Sequence, residues 1–243
     1  MKKNLIFLIL LSTFALSVTL QPMLQILDSK KKRHMIFKVY NPTKEPVAVS
    51  FNIKKLVENH NNKEKREMTQ KVSFYPSEFV LMPKESKKIR VRYMSNTLPD
   101  KEEIYRVIAK ELNVDVSDRD NKTQTNVIKA KVKMRLTYEG LLLVHKAEAQ
   151  SQLKIENFKE LSPKKDRRVV KMTILNSGNA SSVPNLQNFN FIVTINDKEY
   201  KLTEDDLRYA EIRRVLAQDS NTFTLKNLKL PAGKITNIRL EKK

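Results

Sequence analysis

Basic side chains at every second position between residues 129 and 135 are the first feature of this sequence that could do chemistry. They lie in the segment NVIKAKVKMRLTYEGLLLV (126–144), where the positions between them are apolar. The basic residues are Lys129, Lys131, Lys133 and Arg135, and the apolar ones are Ile128, Ala130, Val132, Met134, Leu136 and Tyr138. Because successive side chains of a β-strand point to opposite faces, the pattern predicts one strand with a cationic face and an apolar face. A guanidinium binds a carboxylate through two parallel hydrogen bonds, which suits the cationic face to an acidic group.

The alternation alone leaves two interpretations of the apolar face open. The face could pack against the protein's own sandwich, or it could fill a groove in a partner. The cationic row cannot enter an apolar groove unpaired without a large desolvation penalty, so it must face water or a polar cleft.

Residue types that support catalysis are scarce. The chain has no cysteine, which excludes disulfides, thiol catalysis and cysteine-ligated zinc. Its three glycines are too few and too scattered for a glycine-rich nucleotide loop. His34, His60 and His145 stand far apart in the sequence, and we interpret them as ordinary surface or packing residues. The sequence therefore predicts no enzyme, no metal site and no cofactor, and a hydrolase is the least favoured function.

The N-terminus predicts an exported protein. Lys2 and Lys3 precede the apolar run LIFLILLSTFAL, and Ala15-Leu16-Ser17 is an acceptable cleavage site, so residues 1–17 are predicted to be a cleaved signal peptide. The alternative is an uncleaved membrane anchor, but the run is shorter than the roughly 20 residues that a membrane-spanning helix needs. We expect no stable membrane insertion.

The charge of the chain favours an acidic partner. Lys and Arg number 47 against 27 Asp and Glu, a formal net charge of +20. Export argues against nucleic acid as the partner inside the cell. The charge by itself would also fit a secreted β-sandwich that binds polyanions such as glycans or extracellular DNA, and this function stays open as the alternative.

Short alternating segments separated by turn signals predict an all-β fold of two β-sandwich domains. The N-terminal candidates are residues 18–28, 34–41, 47–57, 77–83, 87–95, 104–114 and 126–138. Seven strands are typical of an immunoglobulin-like domain, which we place at 18–144. HKAEAQSQ (145–152) is a composition shift typical of a domain junction. A second set of strands follows at 169–178, 188–202, 213–225 and 234–243, which predicts a smaller C-terminal β-sandwich at 145–243.

The N-terminal segments resemble, in order, those of the PapD-like periplasmic chaperones of the chaperone/usher pilus pathway. The similar segments are VTLQPMLQILD, VYNPTKEPVAVSF, FYPSEFVLMPKESKKIRVRYM, LPDKEEIYRVIAKEL and the alternating strand 126–138. The EEIYRV segment is similar to the branch that serves colonisation-factor-type fimbriae. Lys84 stands where the family usually has a turn glycine, which predicts a reshaped turn.

The resemblance implies two immunoglobulin-like domains in a boomerang arrangement that hold pilus subunits in the periplasm and deliver them to an outer-membrane usher. Each subunit lacks its last strand, and the chaperone lends its own strand to fill the gap, which is donor-strand complementation. The donor residues implied are Ile128, Ala130, Val132, Met134 and Leu136. Burying four sizeable aliphatic side chains contributes about 6–12 kcal/mol before ordering costs. Whether the free protein caps this strand as a self-dimer stays open.

The resemblance also implies charged sites. In the family a pair of cleft cations binds the carboxylate at the subunit's C-terminus. The second of these falls on Arg135, with Lys133 as the alternative one pleat away. The first falls on Leu24, which departs from the family pattern. Arg90 and Glu102 fall where the family has an interdomain charge network.

Overall fold

A computed structural model of the chain describes residues 18–29, 34–60, 63–113, 136–164 and 167–243. In these ranges the regular structure is almost entirely β-strand. No helix in the described ranges is long and apolar enough to cross a membrane. The predicted signal peptide lies outside the described residues, and the predicted domain boundaries stay predictions.

Ten strands in the N-terminal part form two sheets. They are β1 (Thr19–Gln21), β2 (Leu24–Leu27), β3 (His34–Tyr40), β4 (Val47–His60), β5 (Lys63–Glu67), β6 (Val72–Tyr75), β7 (Glu78–Leu81), β8 (Ser86–Tyr93), β9 (Glu103–Glu111) and β10 (Thr137–Val144). One sheet has the order β1-β3-β8-β6; the other has the order β2-β10-β9-β4-β5, with β7 also paired to β4. Inward-facing side chains of both sheets, among them Phe37, Phe51 and Leu142, form one core.

The first predicted strand is divided between the two sheets. The sequence predicts one strand over 18–28, whereas β1 pairs with β3 in one sheet and β2 pairs with β10 in the other. Pro22 lies between them and has no N–H to donate to a ladder, so regular pairing stops there. The prediction of a single strand over 18–28 is therefore wrong, because the chain crosses from one sheet to the other between β1 and β2.

The turn between β7 and β8 keeps a conformation that favours glycine. Lys84 has a φ of 63°, and the Glu85 N–H donates to the Met82 carbonyl at 3.0 Å. With Pro83 at the second position, these are the features of a type II turn. The lysine therefore does not reshape the turn; it adopts the left-handed conformation at some cost in free energy.

The C-terminal part forms a second sandwich. Its elements are β11 (Leu153–Lys164), β12 (Arg167–Asn176), β13 (Phe189–Ile195), β14 (Lys198–Lys201), the short helix α1 (Glu204–Leu207), β15 (Asp219–Leu228) and β16 (Ile235–Lys242). The sheets β11-β12-β15 and β14-β13-β16 share a core that includes Met172, Phe191 and Phe223. The segment predicted as one strand, 188–202, is a hairpin because Asn196 and Asp197 both take positive φ. The predicted all-β fold of two sandwiches is confirmed.

Candidate functional site: strand β10 and the interdomain cleft

Strand β10 is the described continuation of the alternating strand, and its two faces have different surroundings. It pairs antiparallel with β9 and parallel with β2. On the even-numbered face Tyr138 packs against the N-terminal core, and Leu142 is fully buried in it. On the odd-numbered face Glu139 joins an ion-pair network and Leu141 lines the cleft between the sandwiches. One face of the strand thus belongs to the core and the other to the cleft.

The apolar row leaves the core at Leu136. This side chain is 43% exposed, although it has the same parity as the buried Leu142. Its carbonyl accepts a hydrogen bond from Glu111, the last residue of β9, at 3.4 Å. Four predicted donor residues and both predicted anchors lie outside the described residues: Ile128, Ala130, Val132, Met134, Lys133 and Arg135. The described end of the row is therefore an apolar side chain beyond the edge of its own core.

A cleft of about 330 Å³ lies between the two sandwiches and has a positive lining. Its N-terminal wall includes Leu56, Arg106 and Leu141, and its C-terminal wall includes Arg213 and Arg214. The one carboxylate among the lining residues belongs to Glu64, against three guanidinium groups. An excess of guanidinium groups beside apolar walls suits the binding of an anion such as a carboxylate.

Arg214 is more deeply buried than Arg213, the other cation that the C-terminal sandwich contributes to the cleft. Its guanidinium donates to the Ser181 hydroxyl at 2.9 Å. Burial lowers the pKa of Arg214; the Glu102 carboxylate opposes this shift, and the nearby charge of Arg106 adds to it. An anion in the cleft would stabilise the charged form of Arg214, because it would offset both burial and the repulsion from Arg106.

A chain of ion pairs connects three strands on the cleft side of the N-terminal sandwich. Arg106 on β9 donates to the Glu64 carboxylate on β5 at 2.9 Å, and Arg66 donates to the same group at 2.8 Å. Arg66 also binds Glu139 on β10 through two hydrogen bonds of 2.7 Å each. Burial raises the pKa of Glu64, but the hydrogen bonds from Arg106 and Arg66 outweigh it and hold that pKa below its ordinary value. The Glu64 carboxylate therefore remains charged at neutral pH.

Glu102 forms one of the contacts between the two sandwiches. Ser181 donates to its carboxylate through the backbone N–H at 3.0 Å and through the hydroxyl. The Nε2 atom of His145, in the segment that joins the sandwiches, lies 3.7 Å from the other carboxylate oxygen. The structure does not bring Arg90 to this network: Arg90 lies exposed on β8, opposite Ile36 and Tyr75. Among the described residues, Glu102 thus contacts Ser181 and His145, and the charge network predicted for Arg90 and Glu102 stays a prediction.

The end of β4 makes a second contact with the C-terminal sandwich. Asn59 donates to the Arg214 carbonyl at 2.8 Å, and Asn221 donates to the Asn59 carbonyl at 2.6 Å. His60 lies 3.3 Å from the Asp219 carboxylate. A small apolar cluster supports this contact and consists of Leu56, Ile104, Leu143 and Leu216. Sequence reasoning missed Ser181, Arg214 and His60, because nothing in their spacing signals an interface between residues that lie 79 or more positions apart.

The described residues offer no metal centre, since no group of three or more His, Asp and Glu side chains among them could hold a metal ion. The arrangement of β10 and the cleft suits the binding of a β-strand and of an anionic group.

Comparisons with known proteins agree with this arrangement. Residues 17–140 match the family described as pili and flagellar-assembly chaperone, PapD N-terminal domain. No curated protein matches the sequence. The solved structure of the class 5 fimbriae chaperone CfaA is similar in fold, with 16% identity, a TM-score of 0.55, and coverage of 93% of this chain and 99% of that one.

Two complexes with subunits are similar in fold as well. One is the CsuC–CsuE chaperone–tip adhesion subunit complex of Acinetobacter baumannii, with 14% identity, a TM-score of 0.54, and coverage of 86% and 90% of the two chains. The other is the Salmonella enterica SafA pilin with the SafB chaperone, with 13% identity, a TM-score of 0.51, and coverage of 96% and 99%.

Proposed function

This chain belongs to the family of pili and flagellar-assembly chaperones that carry the PapD N-terminal domain, and we propose that it binds pilus or fimbrial subunits by donor-strand complementation. In this proposal it lends strand 126–138 to a subunit in the periplasm and delivers the subunit to an outer-membrane usher. Solved complexes of similar fold contain a tip adhesion subunit or a pilin, which supports this class of partner.

The observation that carries the proposal is the exposure of Leu136 at the point where the apolar row passes the edge of its own core. If the row packed only on its own sandwich, its last described member would be buried like Leu142. A subunit groove that took Ile128, Ala130, Val132 and Met134 would bury the four apolar side chains that precede Leu136 in the same row. The backbone of the strand would complete the subunit's sheet.

We propose Arg135, or Lys133 one pleat away, as the anchor for the subunit's C-terminal carboxylate. Both have the parity of Glu139 and Leu141, whose side chains face the cleft side of β10. Leu24 cannot supply the first cation of the pair; it lies on β2 opposite Leu141 of β10 and is 45% exposed. Arg106 and Arg214 add positive charge to the cleft, and this charge favours a carboxylate there.

The remaining proposals follow from this function. Residues 1–17 are removed on export, and residues 18–144 and 145–243 are the two domains. The protein works in the periplasm without a cofactor or a catalytic step. In the absence of a subunit, a second copy of the chain covers the apolar row as a self-dimer.

Co-expression with a pilus subunit tests the donor strand. Val132→Asp places a charge in the apolar row, so we expect subunit capture to be abolished while the variant unfolds at the wild-type temperature. Lys129→Ala changes the other face of the same strand and serves as the control, with capture close to wild type. Normal capture by Val132→Asp would refute the donor-strand assignment.

The salt dependence of capture separates this function from polyanion binding. A complex held by apolar burial and backbone hydrogen bonds should survive a wash at high salt, whereas binding to a polyanion weakens steeply with salt. Retention of heparin or DNA at low salt, with no subunit retained at high salt, would favour the alternative function. Arg135→Ala should weaken capture more than Lys129→Ala does; equal effects would show that the anchor lies elsewhere.

A further inference from the structure

The hairpin formed by β4 and β5 contacts both strand β10 and the C-terminal sandwich. We propose that this hairpin positions the donor strand relative to the C-terminal sandwich, with Arg66 and Glu139 as the positioning pair. The inference rests on the proposed function, because it gives the hairpin a part in presenting strand 126–138.

The contact between Arg66 and Glu139 cannot arise from ordinary pairing within the sheet. The strand order is β10-β9-β4-β5, so two strands separate β5 from β10. At about 4.8 Å per step, strands three positions apart in a flat sheet are about 14 Å apart. The register places Arg66 in line with Leu143 of β10, and Glu139 lies four residues, about 13 Å, further along that strand. Arginine and glutamate side chains cannot span both distances in a flat sheet, so their two hydrogen bonds of 2.7 Å require the hairpin to curl across the face of β9.

Two further observations support the curled hairpin. The register between β4 and β5 shifts between Leu56 and Glu58, and an extra residue at such a bulge bends a strand and increases its twist. Glu64 on β5 also meets Arg106 on the intervening strand β9. The hairpin thus lies over β9 and reaches β10 on its cleft side.

The other end of the hairpin is fixed to the C-terminal sandwich. Asn59 is 4% exposed and exchanges hydrogen bonds with Arg214 and Asn221, and His60 lies beside Asp219. Only five residues lie between His60 and Arg66 in the chain. One short element therefore connects the C-terminal sandwich to β10, the strand that follows residues 126–136 in the sequence.

The chemistry of the pair suits a positioning role. Two parallel hydrogen bonds fix the orientation of both groups, which a single lysine contact does not do. The hydrogen bonds that Arg66 donates to Glu139 raise the pKa of Arg66; burial opposes that shift, and Glu64 adds to it. Glu139 stands four residues after Arg135 and has the same parity, so its side chain holds the cleft side of the strand directly after the predicted anchor.

Distance measurements between two spin labels test the positioning in the free protein. The chain has no cysteine, so Leu136→Cys and Lys226→Cys give one label at the root of the donor strand and one on the C-terminal sandwich. We expect a narrow distance distribution, and we expect Arg66→Met or Glu139→Gln to broaden it or shift its mean. The matched control is Arg239→Met, which removes another two-bond pair, with Glu199, far from β10. An unchanged distribution in Arg66→Met and Glu139→Gln would overturn the proposal.

Subunit capture provides the second readout. We expect Arg66→Met to weaken capture about tenfold with little change in the unfolding temperature, whereas Arg239→Met leaves capture at the wild-type level. The charge-swapped double variant Arg66→Glu with Glu139→Arg should restore part of the loss. If Arg66→Met and Arg239→Met lower subunit capture equally, each in proportion to its loss of unfolding temperature, the Arg66–Glu139 pair only stabilises the fold and the proposal fails.

Val132→Asp, measured in the same series, separates the two levels of inference. Loss of capture in Val132→Asp with normal capture in Arg66→Met would overturn the positioning role alone. Normal capture in Val132→Asp would overturn the donor strand and, with it, the role of the hairpin.

Discussion

Replacing Glu103 with glutamine removes the charge of a carboxylate that accepts four hydrogen bonds inside the N-terminal sandwich. The hydroxyls of Tyr93 and Tyr105 donate to one oxygen at 2.9 and 2.7 Å. The ammonium groups of Lys55 and Lys71 donate to the other at 3.0 and 2.6 Å. Glu103 is the first residue of β9 and directly follows Glu102, so it fixes the end of the sheet that meets the C-terminal sandwich.

The expected loss of unfolding free energy follows from the pKa of Glu103. Burial raises the pKa of Glu103, but the hydrogen bonds from Lys71, Tyr105, Lys55 and Tyr93 outweigh it and lower the pKa from 4.5 to about 2. The difference, 4.5 − 2 = 2.5, corresponds to about 3 kcal/mol at roughly 1.4 kcal/mol per pH unit. Because the folded pKa lies below the unfolded one, the unfolded chain binds more protons between these values. The contribution is complete above pH 4.5 and is lost as the pH falls towards 2.

Urea unfolding followed by circular dichroism measures this contribution. At pH 7 we expect Glu103→Gln to lower the free energy of unfolding by about 3 kcal/mol, and we expect the difference from wild type to shrink steadily between pH 4.5 and pH 2.5. Glu58→Gln removes an exposed carboxylate from the same sandwich and should follow wild type at every pH. A difference that stays constant down to pH 2.5 would refute the argument from the pKa.

Two backbone positions give further predictions. Gly178→Ala should cost about 1–3 kcal/mol, since the added Cβ would lie 2.2 Å from the Gln150 carbonyl oxygen and 2.7 Å from the Gln152 nitrogen; an unfolding free energy equal to wild type would contradict the close approach. Lys84→Gly should stabilise the protein by about 1 kcal/mol and raise the unfolding temperature by about 2–4 °C, because the residue has a φ of 63°. Calorimetry would detect either change, and a lower unfolding temperature in Lys84→Gly would show that the lysine side chain matters more than its backbone strain.

Several strands with one face in a core were predictable from the sequence, whereas β5, which has no such face, was not. The alternation over 34–41 and 87–95 corresponds to β3 and β8, whose inward side chains are fully or almost fully buried. By contrast, β5 reads KEKRE and has no buried residue, so no apolar period marks it. Its strand character comes from pairing with β4 and from ion pairs to β9 and β10, which are tertiary contacts.

The same distinction applies to the site. Parity within one strand is local information, so the alternation of residue types predicts two faces for 126–138, and the described strand β10 continues the same parity. The partner of Glu139 lies 73 residues earlier in the chain, and that of Asn59 lies 155 residues later. Contacts at such separations depend on how the hairpin bends and how the sandwiches meet, and no residue spacing encodes either.

The two rows of residues in the proposed donor strand predict the relative strength of its proposed complexes. In edge-to-edge pairing of two identical strands, the cationic rows of Lys129, Lys131, Lys133 and Arg135 would be brought together, and like charges opposite one another on a sheet are destabilising. A subunit that supplies a groove for the apolar row and a carboxylate for the cationic row satisfies both faces at once. We therefore expect the proposed self-dimer to be the weaker complex and a subunit to displace it. A strand with two apolar faces would have no such difference in stability between its self-dimer and its subunit complex, because an identical strand would bind it as well as the subunit does.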